Sequence, residues 1–243
     1  MRANRKKGFS LAEILITLAV IGVVAAMGIP ALFNNTQNQE NVVALKKYAG
    51  TLDSSLRLYM ANNGCSGDLS VCTSSFSTVD ELYNIFKPSL SVAKDCGTAS
   101  GLGCFSSGVN YKKLNSSIIP SLGIFDGLGY YTVRLVDGAA LYIDILDSSC
   151  SQDRSRSNNG PLFHVCGTAV IDVNGVKSPN QAGRDTFIFF ITRSGVIPIG
   201  TYDDVDYSNP AGIAQCDPSS VSFPAGLGWG CTAKVLQEGA MNY

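Results

Sequence analysis

Residues 2–33, RANRKKGFSLAEILITLAVIGVVAAMGIPALF, constrain this chain more than any other stretch. Four cations, Arg2, Arg5, Lys6 and Lys7, precede Gly8. From Phe9 to Phe33 run 25 residues with one charge, Glu13. At about 1.5 Å per residue a helix of that length covers roughly 37 Å, enough for a ~30 Å hydrocarbon core with some tilt. The run is therefore expected to be a membrane-spanning helix with one carboxylate a turn inside its border. A carboxylate in hydrocarbon costs about 2.5–3.5 kcal/mol on insertion scales, so Glu13 should be paired.

Two ways of processing such an N-terminus compete. An ordinary secretory signal has an apolar region of about 7–15 residues followed by a small-residue cleavage site. Here the apolar run is too long, and a cut behind it would fall near Ala25-Ala26-Met27. The alternative is a cut before the run, at Gly8-Phe9, which keeps the helix in the mature chain. The segment KKGFSLAEILITLAVIGVVAAMGIPAL closely resembles the type III signal of type IV pilins and type II secretion pseudopilins. The resemblance covers about the first 55 residues. It implies that Gly8 precedes the cut and that Phe9 becomes the N-methylated first residue. It makes Glu13 the carboxylate at the fifth mature position, and Gly22 and Pro30 helix-loosening positions.

Glu13 has two readings. It lies about 6 Å from the helix start, so it could snorkel to the headgroups and be favoured by the helix dipole. Alternatively, cleavage frees an α-amino group with a pKa near 8, which can pair with Glu13 of a neighbouring helix. The resemblance implies the second role, so that processing licenses filament assembly.

About 200 residues remain beyond the apolar helix, which suits one domain. Removing the four leader cations takes the net charge from −1 to about −5. Lysines and arginines are otherwise scattered, with no nucleic-acid footprint. The basic cluster before the helix places the N-terminus in the cytoplasm and the rest outside. The eight cysteines agree with export, where an even count argues for disulfides. No Cys-x-x-Cys occurs and His164 is the sole histidine, so zinc spacing fails. Eight cysteines allow 105 pairings. Sequence-close spacing favours Cys65–Cys72, Cys96–Cys104, Cys150–Cys166 and Cys216–Cys231. The last would resemble the C-terminal loop of many pilins.

After a polar stretch at 34–39, Val42, Leu45, Tyr48, Ala49, Leu52, Leu56 and Tyr59 recur at helical steps. The helix is thus expected from about Ser10 to Asn62, ended by Asn62-Asn63-Gly64 and kinked or locally melted at Pro30. Its stripe needs a sheet to pack on. Thr78–Phe86 reads as a short helix with a capping box of Thr78 and Glu81, and the rest of 64–120 as disulfide-held loop. From Gly129 the period becomes two. Tyr130–Val136 and Ala139–Leu146 flank Asp137-Gly138, a hairpin signal. Phe163–Val173, Thr186–Thr192 and Val196–Ile199 complete four to five antiparallel strands. Residues 201–243 read as irregular, with a helical turn at Lys234–Glu238.

In the loop IDVNGVKSPNQAGRDTF, Asp172, Asn174 and Asp185 are hard oxygen donors, with Asn180 nearby. Calcium takes six to eight such oxygens, and the loop resembles one that binds calcium in some pilin-like proteins. Lys177, Arg184 and the lack of EF-hand spacing depart from a calcium loop. The bland reading is an Asx-turn loop that satisfies its own backbone. Asp203, Asp204 and Asp206 read as a solvated acidic face, with a second cation site as the sharper alternative. His164 has no partners at metal or catalytic spacing. No Gly-x-Ser-x-Gly, phosphate loop or His-Glu-x-x-His is present, so no catalysis is expected.

The expectation is an α+β protein of pilin fold: a long N-terminal hydrophobic helix packed on a C-terminal antiparallel sheet, with disulfide-pinned loops. Its parts are a leader at 1–8, a transmembrane and assembly half-helix at 9–33, and an external domain at 34–243. The expected partners are prepilin peptidase, the inner membrane, an inner-membrane assembly platform and further copies of the chain in a filament. The alternative is a minor or tip-type surface binding module anchored by one helix.

Overall fold

The computed structural model describes residues 10–65, 67–72, 76–98, 103–105, 111–119, 129–208, 216–222 and 225–243, without the side chains of 28 and 30–34. The chain divides into two compact units, Met1–Glu40 and Asn41–Tyr243. Helix α1 spans Leu11–Asn62, 52 residues. Over residues 11–27 it is apolar apart from Glu13 and Thr17, and Leu11, Leu15, Leu18, Val24 and Met27 are exposed. The helix runs unbroken through Gly22 and Pro30. Local melting at Pro30 therefore does not occur, since a bend can absorb the one hydrogen bond a proline removes. Among the described residues no helix is long and apolar enough to cross a membrane.

From Asn41 onward α1 becomes amphipathic. Val42, Leu45, Tyr48, Leu52, Leu56 and Met60 are buried at three- and four-residue steps, while Tyr59 is half-buried. Fully burying a leucine is worth about 1.5–3 kcal/mol, so this stripe fixes the helix against the sheet. The end is a Schellman cap. The Cys65 N–H donates to the Met60 carbonyl at 2.9 Å and the Gly64 N–H to Ala61 at 3.5 Å. Gly64 sits at φ +71°, where glycine is at ease.

Among the described residues the sheet has six strands in sequence order, every neighbouring pair antiparallel. They are β1 (Val92–Gly97), β2 (Tyr131–Leu135), β3 (Ala140–Ile145), β4 (Val165–Asp172), β5 (Thr186–Thr192) and β6 (Val196–Pro198). Strand alternation sends one set of side chains to each face. Val133, Leu141, Ile143, Ile171, Phe187 and Phe189 join the α1 stripe and helix α2 (Val79–Phe86) in one core. Ala140, Tyr142, Val170, Ile188 and Phe190 face the other way, into a second cluster with Phe105, Tyr111 and Leu162. Both faces are covered, so all seven residues of β5 are buried.

Asp137-Gly138 makes the expected turn between β2 and β3. The Gly138 N–H donates to Leu135 at 3.0 Å, and the Leu135 N–H to Ala139 at 2.8 Å. Thr78 caps α2 by accepting from the Glu81 N–H at 3.4 Å, while the Glu81 carboxylate reaches one residue further back, to the Ser77 N–H at 2.7 Å. Strand β1 corrects the reading of 64–120 as loop outside its helix. VAKDCG has no apolar alternation because three of its six residues are exposed at the sheet edge. The final helix, α3 (Cys231–Glu238), starts three residues earlier than the turn expected at Lys234. The cysteines form four disulfides, Cys65–Cys72, Cys96–Cys104, Cys150–Cys166 and Cys216–Cys231, the pairing favoured by spacing.

Candidate functional site

At the N-terminus, Gly8 and Phe9 lie outside the described residues. The first described contacts belong to Ser10 and Glu13. The Ser10 N–H donates to Glu13 Oε2 at 2.8 Å, and the Glu13 N–H donates to Ser10 Oγ at 3.2 Å. This reciprocal pair is a capping box, which satisfies two of the donors left free at a helix start. Ser10 was missed in the sequence, although Ser-x-x-Glu before an apolar run is the signature of that box. Glu13 is exposed, on a helix end with no charged neighbour among the described residues. Gly22 has open space where a side chain would go. The side chain of Pro30 is outside the description.

The loop between β4 and β5 brings Asp172, Asn174 and Asp185 together. Asn174 Nδ2 donates to Asp185 Oδ2 at 3.4 Å, and the Asn174 N–H donates to Asp172 Oδ1 at 3.3 Å. Both aspartates are completely buried. Asp185 accepts the backbone N–H groups of Asn180 at 2.7 Å and Gln181 at 2.6 Å. Asp172 accepts the Tyr111 hydroxyl at 2.7 Å. Burial pushes the Asp185 pKa up to about 6, against the lowering effect of those backbone donors. Burial first, and the Asp185 charge second, raise Asp172 as well. Nothing in the sequence linked Tyr111 to this loop, 61 residues away. The link is made by backbone pairing, with Lys112 donating to the Asn180 carbonyl and accepting from the Ala182 N–H, each at 2.9 Å.

The donors suit a hard cation in kind. They are two buried carboxylates plus the amide oxygens of Asn174 and Asn180, which have no hydrogen-bond partner. The number is smaller than calcium's usual six to eight, and Asp185 already takes backbone donors as an Asx-type loop does. Arg184 points elsewhere, donating to the Tyr243 carbonyl at 2.7 Å and lying over its ring. Among the described residues, no group of three or more His, Cys, Asp or Glu could hold a metal ion.

The acidic cluster is not a solvated face. Asp204 is completely buried and accepts the N–H groups of Gly200, Asp206 and Tyr207 at 2.9–3.1 Å, folding its own loop. Asp206 pairs with Arg154, and Asp203 accepts from the Ser157 hydroxyl at 2.9 Å. His164 packs edge-on to Phe163, and its buried Nδ1 has no partner.

Residues 3–29 match the prokaryotic N-terminal methylation motif, the signal of type IV pilins and pseudopilins. The match covers Arg5, Lys6 and Lys7 of the basic cluster, the Gly8-Phe9 junction, Glu13 and Gly22, and ends one residue before Pro30. It supports a pilin-like or pseudopilin protein, a class that is structural rather than catalytic. No curated protein and no solved structure matches the chain.

Proposed function

We propose that this chain is a structural subunit of a type IV pilus or a type II secretion pseudopilus. The methylation motif over residues 3–29 carries the reading. Prepilin peptidase then removes residues 1–8 between Gly8 and Phe9 and methylates the new α-amino group. Residues 9–33 hold the chain in the inner membrane, N-terminus inside, and residues 34–243 stand outside, in keeping with the positive-inside rule. The exposed apolar surface of α1 in the first unit supports this, because such surfaces mark membrane or protein contacts.

Subunits leave the membrane through an assembly platform and pack helix against helix. The α-ammonium group of one subunit pairs with Glu13 of the next as both leave lipid headgroups and water. In the single chain the Glu13 carboxylate caps its own helix through Ser10. Assembly exchanges that bond to a neutral N–H for one in which donor and acceptor are both ionised. An uncut precursor has no α-ammonium group at position 9 and cannot make it. The test is Glu13→Ala, which should be cleaved normally yet be excluded from filaments. Wild-type incorporation would overturn the reading.

At the β4–β5 loop a calcium ion is the second reading, favoured by the partnerless oxygens of Asn174 and Asn180. Asp172, Asn174 and Asp185 would hold it. Its charge would offset the repulsion between the two aspartates and tie β4 to β5.

A further inference from the structure

On the sheet face turned away from α1 lies a cleft of about 250 Å³. Its floor follows from strand register. Asp144 on β3 pairs with Thr168 on β4, and Thr168 with Phe190 on β5, so the three point to one side. The walls are aromatic. Tyr130 and Tyr142 meet with centroids 4.6 Å apart and planes tilted by 45°. Tyr207 and Trp229 form a second tilted pair at 6.2 Å. Tyr130, Tyr207 and Trp229 are only half-buried, so their rings are open to a ligand.

Two charged groups line the same cleft, Asp144 and Arg154. Arg154 is paired with Asp206 and lies 5.8 Å from the Phe190 ring centroid. No ion pair among the described residues involves Asp144. Burial pushes its pKa up to about 6, while the Ile145 N–H bonded to it acts the other way.

These charges narrow the ligand class. An anion would have to face Asp144, and an organic cation would have to sit beside Arg154. The carboxylate of a zwitterion would have to displace Asp206. A neutral molecule rich in hydroxyls meets none of these obstacles. Its O–H groups donate to Asp144, which can only accept, and its oxygens accept from Arg154, which can only donate. The cleft is smaller than the ~300–1,000 Å³ of drug-sized sites, which limits the occupant to about one ring. We propose that this cleft binds a saccharide, seating one pyranose ring against the aromatic walls with Asp144 and Arg154 on its hydroxyls. The inference does not depend on the filament reading, since the cleft and the α1 stripe lie on opposite faces of the sheet.

Trp229 is the sole tryptophan of the chain, so its fluorescence reports this cleft alone. The full chain, in a detergent with no sugar headgroup, would be titrated with glucose, galactose, mannose, N-acetylglucosamine and N-acetylgalactosamine, and with tetramethylammonium. The expected result is a saturable change with at least one sugar and none with tetramethylammonium. Asp144→Asn should weaken that sugar roughly tenfold or more, as loss of a hydrogen bond to a charged group predicts, with an unchanged circular dichroism spectrum. Tyr207→Ala provides a second variant on the opposite wall, with the same expectation. No response to any sugar would overturn the proposal. So would a saturable response to tetramethylammonium alone, or unaltered sugar affinity in both variants.

Discussion

The Tyr48 hydroxyl on α1 donates to the Asp137 carboxylate at the β2–β3 turn. Lys47, the preceding residue, reaches the same oxygen at 2.6 Å. Burial opposes ionisation of Asp137, but the bonds from Lys47, Tyr48 and the Ala139 N–H outweigh it and hold its pKa below the ordinary value. The turn thus gives the helix a polar anchor beside its apolar stripe. Tyr48→Phe keeps the ring and removes the bond. With Asp137 partly exposed, the expected loss is about 1 kcal/mol. Chemical denaturation of the variant checks this.

Deeper in the same interface the magnitude should rise. Leu52 is fully buried between α1 and the sheet core. Leu52→Ala removes apolar contact and leaves a cavity, for an expected loss of about 2–5 kcal/mol. The same substitution at Leu58, which is exposed, should change stability by no more than about 0.5 kcal/mol. Equal effects at the two positions would contradict the packing of the stripe.

The Asp172–Asp185 pair makes stability depend on pH in an unusual direction. The Asp185 pKa rises from 3.8 to about 6 on folding. Between these values the folded chain keeps a proton that the unfolded chain releases. The group therefore destabilises the fold as pH rises through that window, by roughly 3 kcal/mol when neutral pH is reached. Acidification from pH 7 to pH 5 should stabilise the protein, and Asp185→Asn should flatten the dependence. Urea unfolding at the two pH values gives the sign.

Calcium at the same loop would remove that penalty at neutral pH. At about a hundredfold excess over its Kd, calcium stabilises by about 2.7 kcal/mol, which for a domain of this size raises the Tm by roughly 5–10 °C. Scanning calorimetry at pH 7 with calcium and then with a chelator reads it. Identical Tm values would leave the Asx-turn reading standing.

The Cys216–Cys231 bridge spans 15 residues and leads straight into α3. Replacing both cysteines with serine should lower stability by about 3 kcal/mol, from loop closure lost in the unfolded chain. Denaturation of the double variant in parallel with the native chain checks the magnitude.

The readable features were those set by local chemistry. The α1 stripe showed as three- and four-residue steps, the β2–β3 turn as Asp-Gly, and the Thr78 cap as Thr-x-x-Glu. Strand β1 escaped because it is held by backbone bonds to β2 through two register shifts, with little apolar pattern of its own. Tyr111 and Asp172 could not be linked from sequence, since their contact depends on how distant segments pair. Asp204 looked like surface charge because its role is to accept backbone donors inside a buried loop, and composition does not report that. Asp144 and Trp229 gave no signal at all, being brought to one cleft by strand register and the C-terminal loop.

The most direct test of the central claim is the intact mass and N-terminal sequence of the chain extracted from membranes. The account predicts a chain beginning at N-methylated Phe9. A chain that still begins at Met1, or one that begins beyond Ala25, would contradict it.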